Sequence, residues 1–260
     1  MSRGTRFEPG PARLTAQQLV RTARQLVQRG ILSTSLHGNI SARVPATGQI
    51  LLTAHSSLDR VTLRDLALLD LDGQLIEGFL DPATHEIVEM HTAVYRQRSD
   101  VGAIIHTHSP HATAFALAGR PIEPCYEAAL RMGVTTPVPV AAYAPRGSEA
   151  AVSNILAESG KGVWAVLLAN HGLLAFGRDL GHALRVVIAV EEAAQMALLA
   201  EAIGGARPIP PELIGQGQAR AAAFARTGTV APAAPPPRVE WSSSTAGTPG
   251  WPARKCGDHR

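Results

Sequence analysis

The sequence predicts a domain of mixed helices and strands, of the α/β or α+β class, in which helices flank a single sheet. The first observation behind this prediction is that segments with apolar residues at helical spacing alternate with short, strongly apolar segments of strand length. The second is composition. Of the 260 residues, 45% are hydrophobic but only 4% are aromatic, which indicates a core built largely from Leu, Val, Ile and Ala.

The first predicted element is a helix over residues 14–29, where apolar side chains recur every three to four residues. Thr15 is a candidate N-cap and Gly30 is a candidate C-terminal stop. Residues 1–12 are polar and contain Gly and Pro, so we expect them to be flexible.

Two hairpins are predicted next. The first joins a strand around residues 40–42, where apolar and polar side chains alternate, to a strand over residues 49–53. The second joins strands over residues 66–71 and 74–77 through an Asp-Gly turn at 72–73, a sequence typical of tight hairpin turns.

The second half of the chain alternates helices with strands. The predicted elements are a helix over 86–98, a strand over 101–105, a helix starting at Ser109–Pro110, a helix over about 148–159, strands over 163–170 and 173–177, and a long helix capped by Asp179. Residues 226–260 are rich in Pro, Ser and Gly and are expected to form a disordered tail, which leaves residues 13–225 as one domain.

Composition also limits the classes of function. The net charge is +3, and the arginines are scattered without interleaved aromatic residues, so we expect no nucleic-acid partner. The two cysteines, Cys125 and Cys256, imply no disulfide framework. The N-terminus lacks the apolar stretch of a signal peptide, and no apolar run approaches the roughly 18 residues of a membrane helix. A cytoplasmic protein without a membrane partner is therefore expected.

Three of the ten histidines have positions that suggest shared chemistry. His106 and His108 follow the predicted strand 101–105, and side chains two residues apart on a strand point to the same face. His171 follows the predicted strand 163–170. If these strands are neighbours in the sheet, three imidazoles converge at one edge, and three nitrogen ligands with an open position are typical of catalytic zinc. A His-x-His pair alone is a weak indication, because one of the two is often a capping or surface residue.

Several segments of the chain together resemble the class II aldolase/adducin family. They are LHGNISAR, LLDLDGQLIEG, MHTAVYRQRSDV, IIHTHSPHATAFA and LLANHGLLAFG, and they occur in the family's order within roughly residues 14–204. The resemblance implies an αβα three-layer sandwich around a mostly antiparallel sheet. It also implies a homotetramer with active sites at subunit interfaces. Members include sugar-phosphate aldolases, a sugar-acid-phosphate decarboxylase and a thioribulose-phosphate dehydratase, whereas adducin head domains share the fold without the metal chemistry.

Matched residue by residue, His106, His108 and His171 correspond to the family's metal ligands. The metal implied is Zn²⁺, with Mn²⁺ or Co²⁺ as alternatives. Gly38 and Asn39 correspond to the Gly-Asn loop that holds the substrate phosphate through backbone and amide donors.

The chain departs from the family at two other phosphate-binding segments. The first reads Thr53, Ala54, His55 and Ser56 where aldolases carry Thr-Pro-Ser/Thr-Gly, and Thr53 and Ser56 remain candidate substrate-binding residues. The second reads PATHE over residues 82–86 where aldolases carry Ser-Ser-Glu, so both phosphate-binding serines are replaced. A carboxylate or unphosphorylated hydroxy-carbonyl substrate is therefore an alternative to a sugar phosphate, with His55 and His85 as new polar groups.

Three residues are candidates for the proton-transfer chemistry. Glu86 lies one residue away from the family's acid/base position, counted back from His91. Glu127 lies where the dehydratase branch places its glutamate, and the adjacent Tyr126 lies near the proton-donating tyrosine of the aldolases. Glu89 is interpreted as a helix-surface acid.

The function expected on these grounds is that of a zinc-dependent lyase of the aldolase type. It would act on a small hydroxy-carbonyl substrate through a metal-stabilised enediolate. A dehydratase or decarboxylase of the same family, a non-catalytic adducin-like assembly module, and a zinc hydrolase that activates water are the alternatives.

Overall fold

The computed structural model describes residues 7–227, and these residues form a sheet with helices packed on both of its faces. The strands are β1 (Gly38–Val44), β2 (Gln49–Thr53), β3 (Leu66–Asp70), β4 (Leu75–Glu77), β5 (Ala103–Thr107), β6 (Val140–Ala141), β7 (Ala165–Leu168) and β8 (Gly172–Gly177). The helices are α1 (Pro11–Gln28), α2 (Pro82–His85), α3 (Val88–Gln97), α4 (Pro110–Ala118), α5 (Glu127–Arg131), α6 (Glu149–Ser159), α7 (Leu180–Glu201) and α8 (Pro211–Thr227).

The strand order is β4-β3-β2-β1-β5-β8-β7-β6, and every neighbouring pair is antiparallel except β6 and β7. Successive side chains of β5 enter two separate cores. Ile105 packs into the core that includes α1, α4 and α7, whereas Ile104 packs into the core that includes α3 and α6. Because a strand presents alternate residues to opposite faces, a sheet covered on both faces needs apolar residues at nearly every position of its central strands. The expected three-layer αβα sandwich with a mostly antiparallel sheet is confirmed.

The first helix differs from the prediction at its N-terminus. Helix α1 begins at Pro11, with Gly10 as its N-cap residue, and Phe7 is buried in the core. Thr15 is not the N-cap, since it lies inside the helix and its hydroxyl donates to the Pro11 carbonyl at 2.9 Å. Proline suits the first helical position because its fixed φ is helical and its missing N–H has no partner to lose there. Phe7 and Ala12 are therefore packed against the core.

Both predicted hairpins form. In the second, the Asp70 Oδ1 atom accepts hydrogen bonds from the backbone N–H groups of Asp72 and Gln74, and this closes the turn. Strand β3 accordingly ends at Asp70, one residue earlier than predicted, and β4 begins at Leu75.

The helix predicted over 86–98 is present as α3, but it begins two residues later and is preceded by a separate short helix that was not predicted. Helix α2 ends at His85 and α3 begins at Val88, so that Glu86 and Ile87 form the junction between them. Strand β5 is shifted relative to the predicted 101–105 and contains His106, and β7 covers only the middle of the predicted 163–170. Asp179 caps α7 as predicted, and its carboxylate accepts from the His182 N–H at 2.7 Å.

No helix within residues 7–227 combines the length and the apolar character needed to cross a membrane. Residues 1–6 and 228–260, which include Cys256 and nearly all of the expected tail, lie outside the described residues.

Candidate metal centre and active-site cavity

The structure brings His106, His108 and His171 together. Their candidate ligand atoms all lie within 4.8 Å of one another. His106 is in β5 and His108 follows that strand, while His171 is in the turn between β7 and β8. The neighbour of β5 is β8 and not β7, in contrast to the arrangement considered from the sequence. His171 reaches the cluster because the turn places it directly before β8.

The protonation of the cluster suits a metal ion. The His106 Nδ1 atom lies 2.9 Å from the Leu173 carbonyl, which can only accept, so Nδ1 carries the proton and the Nε2 lone pair is free. That Nε2 lies 3.2 Å from the Nε2 of His108. Burial and the neighbouring His171 hold the pKa of His106 well below its usual range, and burial lowers the pKa of His108 to about 4. Burial, followed by the charge of Arg146, lowers the pKa of His171. Neutral imidazoles with converging lone pairs are the donor set that a divalent metal such as Zn²⁺ prefers.

Two glycines allow the backbone to approach the end of β5. A Cβ atom on Gly38 would lie 2.5 Å from the His106 carbonyl oxygen, and one on Gly172 would lie 2.6 Å from the Thr107 carbonyl oxygen. Real Cβ atoms do not approach backbone oxygens so closely. Gly38 therefore has a packing role next to the histidines, and its N–H donates to the Ser56 carbonyl at 2.9 Å. That bond uses the backbone donor expected to bind a phosphate.

A cavity of about 290 Å³ opens in front of the histidines. Gly38 lines it, and the polar residues that line it besides the three histidines are His37, Asn39, Ser56, Glu86, Tyr143, Arg146 and Asn170. Of the predicted substrate-binding residues, Gly38, Asn39 and Ser56 therefore lie at the cavity. Thr53 does not line it, because its side chain is fully buried and its Oγ1 accepts from the Ile40 N–H at 3.2 Å.

The candidate acids are placed differently. Glu86 lines the cavity, and its Oε2 lies 3.5 Å from the Arg146 Nε atom. Glu127 pairs with Arg131 one turn along α5 at 2.7 Å and, like Tyr126, does not line the cavity of its own chain. Within a single chain, therefore, Glu86 lies at the same cavity as the three histidines and Glu127 does not.

The two additional histidines considered from the sequence also lie outside the lining. The His55 Nε2 atom lies 3.7 Å from Asp65 Oδ1, and His85 belongs to a second depression next to β4. The cavity instead contains His37 and Arg146, which sequence analysis did not identify. Arg146 follows a Pro-rich segment without periodicity, so no pattern indicated where its side chain would lie.

Behind the cavity lies a buried chain of hydrogen bonds. The Asn39 Oδ1 atom lies 2.7 Å from His91 Nε2, His91 Nδ1 lies 2.7 Å from Ser41 Oγ, and Ser41 Oγ lies 2.8 Å from the Tyr95 hydroxyl. One assignment satisfies all three bonds: Tyr95 donates to Ser41, Ser41 to His91, and His91 to Asn39, whose amide N–H groups then remain for the cavity. Burial lowers the pKa of His91 to about 3 and raises the pKa of Tyr95, so both stay neutral.

The N-terminus of α4, the helix that follows His108, is capped by a residue that is distant in sequence. Ser109 and Pro110 take the predicted N-cap and first helical positions, but Ser109 Oγ lies 2.7 Å from Thr107 Oγ1 and makes no capping bond. The Glu191 carboxylate of α7 accepts instead from the N–H groups of His111 and Ala112, at 3.0 and 2.9 Å. This contact joins α4, and so the end of β5, to the long helix.

Comparisons with known proteins agree with this architecture. The sequence profile of the "Class II Aldolase and Adducin N-terminal domain" matches residues 17–198. A 5-methylthioribulose-1-phosphate/5-deoxyribulose-1-phosphate aldolase of Rhodospirillum rubrum is 34% identical over 72% of this chain and 81% of that protein. A 3-oxo-tetronate 4-phosphate decarboxylase of Haemophilus influenzae is 32% identical over 68% of this chain and 84% of that protein.

The fold is also that of a solved enzyme. The structure of an L-fuculose 1-phosphate aldolase superposes with a TM-score of 0.72 at 27% identity, covering 83% of this chain and 98% of that one. The profile match spans more than half of the chain and includes all three clustered histidines. The chain belongs to the class II aldolase and adducin family.

Proposed function

We propose that this chain is a metal-dependent lyase of the aldolase type that cleaves a small hydroxy-carbonyl compound next to its carbonyl group. The observation that carries the proposal is the convergence of His106, His108 and His171 in one cavity with the carboxylate of Glu86. The similarity to an aldolase and a decarboxylase supports chemistry of this class.

The three histidines would hold the metal, for which we propose Zn²⁺, with Mn²⁺ or Co²⁺ as alternatives, because neutral imidazoles suit all three ions. A divalent ion bound there polarises the substrate carbonyl and stabilises the negative charge that develops on its oxygen during cleavage. The three imidazoles carry no charge of their own, so the full double charge of the ion would act on the substrate.

The chain's own residues supply the rest. In cleavage, Glu86 would accept the proton of the substrate hydroxyl as the carbon–carbon bond breaks, which leaves an aldehyde and an enediolate. Glu86 would then return that proton to the enediolate carbon, and in the reverse direction it would remove it. The Asn39 amide and the Ser56 hydroxyl lie at the same cavity and would donate hydrogen bonds to substrate oxygens. Glu86 is preferred to Glu127 because only Glu86 lines the cavity within one chain.

We further propose a cytoplasmic homotetramer with active sites at the interfaces. Support comes from exposed apolar side chains at the end of α7, where Leu199 and Ile203 are 60% and 89% exposed. Such clusters are typical of contact surfaces. In that assembly Tyr126 and Glu127, which lie away from the cavity of their own chain, would serve the cavity of a neighbouring one.

Metal analysis and product analysis together test the proposal. Purified protein should contain one zinc ion per chain, and replacement of His106 and His108 by Ala should remove it. A panel of ketose phosphates, unphosphorylated ketoses and 3-oxo acids should yield an aldehyde by carbon–carbon cleavage. Water loss or carbon dioxide release would instead identify the dehydratase or decarboxylase alternative. Cleavage of simple esters would favour a hydrolase, and protein that binds no divalent metal would favour the assembly module.

A further inference from the structure

The cavity has one strong cation next to its histidines. Among the described residues that line it, Arg146 is the one lysine or arginine. It lies in the loop that precedes α6, two residues before the N-cap Ser148. We propose that Arg146 recognises an anionic group of the substrate, a carboxylate or a phosphate, and that this group replaces Glu86 at the guanidinium and thereby frees the Glu86 carboxylate for proton transfer. The inference rests on the proposed function, since it assigns the substrate class of the same cavity.

The pair between Arg146 and Glu86 is suited to exchange. The two side chains approach through a single contact of 3.5 Å between Nε and Oε2, and not through the two parallel bonds that hold an arginine and a carboxylate firmly. The two side chains are 41% and 56% exposed, so solvent screens their attraction. An incoming anion therefore competes with a weak partner.

The guanidinium is nevertheless held in position. The Arg146 Nη2 atom donates to the Ala83 carbonyl of α2. Within residues 7–227, Nη1 donates no hydrogen bond. Nη2 thus anchors the group to α2, while Nε approaches Glu86 and the residue lines the cavity. The planar guanidinium, with its donors arranged as a fork, matches the oxygen pairs of carboxylates and phosphates better than the point charge of a lysine does.

The charges at the cavity favour an anion. With the three histidines neutral, Glu86 and Arg146 cancel each other, and a bound divalent metal leaves the site with a charge of about +2. The Gly38 N–H is already bonded to the Ser56 carbonyl and is not free to bind an anion. Arg146 provides a positive group at the same cavity.

Release of Glu86 from Arg146 links binding of the substrate anion to proton transfer. While Glu86 is paired with Arg146, its Oε2 atom faces the guanidinium instead of the substrate. When the substrate anion takes its place, the carboxylate becomes free at the cavity. The two loops lie close together, since a Cβ at Gly147 would lie 3.4 Å from the Glu86 Cβ. No covalent bond is formed or broken in this exchange of one anion for another.

Anion binding measured by calorimetry on zinc-loaded protein tests the exchange, with inorganic phosphate and acetate as separate probes. Arg146→Gln should weaken binding of the recognised probe by about tenfold or more, the loss expected for a hydrogen bond to a charged group. Arg146→Lys should show a smaller loss, because the charge is kept. Glu86→Gln should tighten binding severalfold, because the competing carboxylate is removed. The probe that responds identifies the substrate group as a phosphate or a carboxylate.

A purely structural role of Arg146 would give different results in the same measurements. If Arg146 only joins the two loops through Ala83, then Arg146→Gln, which keeps a donor for that carbonyl, should bind both probes like the wild type, and Glu86→Gln should not improve binding. Either result would overturn the inference. Should Arg146→Gln fail to fold, the Arg146→Lys and Glu86→Gln proteins decide on the same signs. Arg120→Gln, which removes an exposed arginine paired with Glu201 at 3.0 Å, is the matched control and should leave binding unchanged.

The proposed function is tested by different measurements from those that test this inference. It depends on zinc content and on substrate cleavage by the wild type, neither of which requires a response to the Arg146 substitutions. Protein that holds zinc and cleaves substrate but binds anions independently of Arg146 would refute this inference alone. Protein that binds no divalent metal would refute the proposed function, and anion binding by Arg146 would then be measured on the metal-free protein with the same two probes.

Discussion

The cavity has two walls of opposite character. The sheet wall consists of Asn39, His106 and His171, with His91 behind them, and its short hydrogen bonds are largely shielded from water. The loop wall consists of Glu86, Tyr143 and Arg146, which are at least 40% exposed and include the 3.5 Å ion pair. Groups that must keep a fixed geometry thus lie on the sheet, and groups that must change partner lie on loops. A rigid scaffold with adaptable loops is a common division in enzymes.

The largest expected effect comes from removing a metal ligand of the sheet wall. His106→Ala should lose bound zinc and lower cleavage activity by more than the roughly 10–100-fold that loss of an outer-shell partner produces. Metal content by mass spectrometry and initial rates measure both. Activity that persists without metal would show that the sheet wall is not a metal centre.

The next effect concerns the loop wall. Glu86→Gln should lower kcat by about 10²–10⁴-fold, the usual contribution of general acid–base catalysis, while zinc content stays at the wild-type level. Glu127→Gln is the matched comparison. If Glu127→Gln alone gives the large loss, the acid comes from outside the cavity of its own chain, and the loop wall serves only in binding.

A smaller effect is expected at the support of the sheet wall. Glu191 is 12% exposed in its side chain and caps α4 with two backbone hydrogen bonds besides its contact with His111. Glu191→Ala should lower the free energy of unfolding by about 2–3 kcal/mol, since buried charge-assisted bonds are lost. Urea denaturation measures it. Glu201→Ala, which removes an exposed acid, should change stability by no more than about 0.5 kcal/mol, and an equal loss in both variants would contradict the capping role.

The last prediction separates His91 from the metal ligands by the effect of pH on stability. The pKa of His91 is about 3 in the folded chain against 6.5 normally, so its contribution to stability is complete above pH 6.5 and declines as the pH falls towards 3. In metal-free protein, His91→Gln should reduce the slope of unfolding free energy against pH in this window by about 1.4 kcal/mol per unit. Identical slopes in wild type and variant would show that His91 is not buried in its neutral form.

Much of the structure could be predicted because it depends on local rules. The alternation of helices and strands, the Asp72–Gly73 hairpin and the cap at Asp179 follow from periodicity and backbone geometry within a few residues. Helix α2 could not be predicted in this way, because a helix of four residues is too short to show an apolar period.

By itself, the sequence determined the family, the sandwich and the pair His106 and His108, whose common direction is a property of any strand. The tertiary structure decided which distant groups meet them. It placed His171 next to β5 through β8, put Glu86 rather than Glu127 at the cavity, buried Thr53 and brought in Arg146. The reason is physical: local propensities act over one turn or one strand, whereas contacts between segments depend on strand order and on how the helices pack over both faces of the sheet.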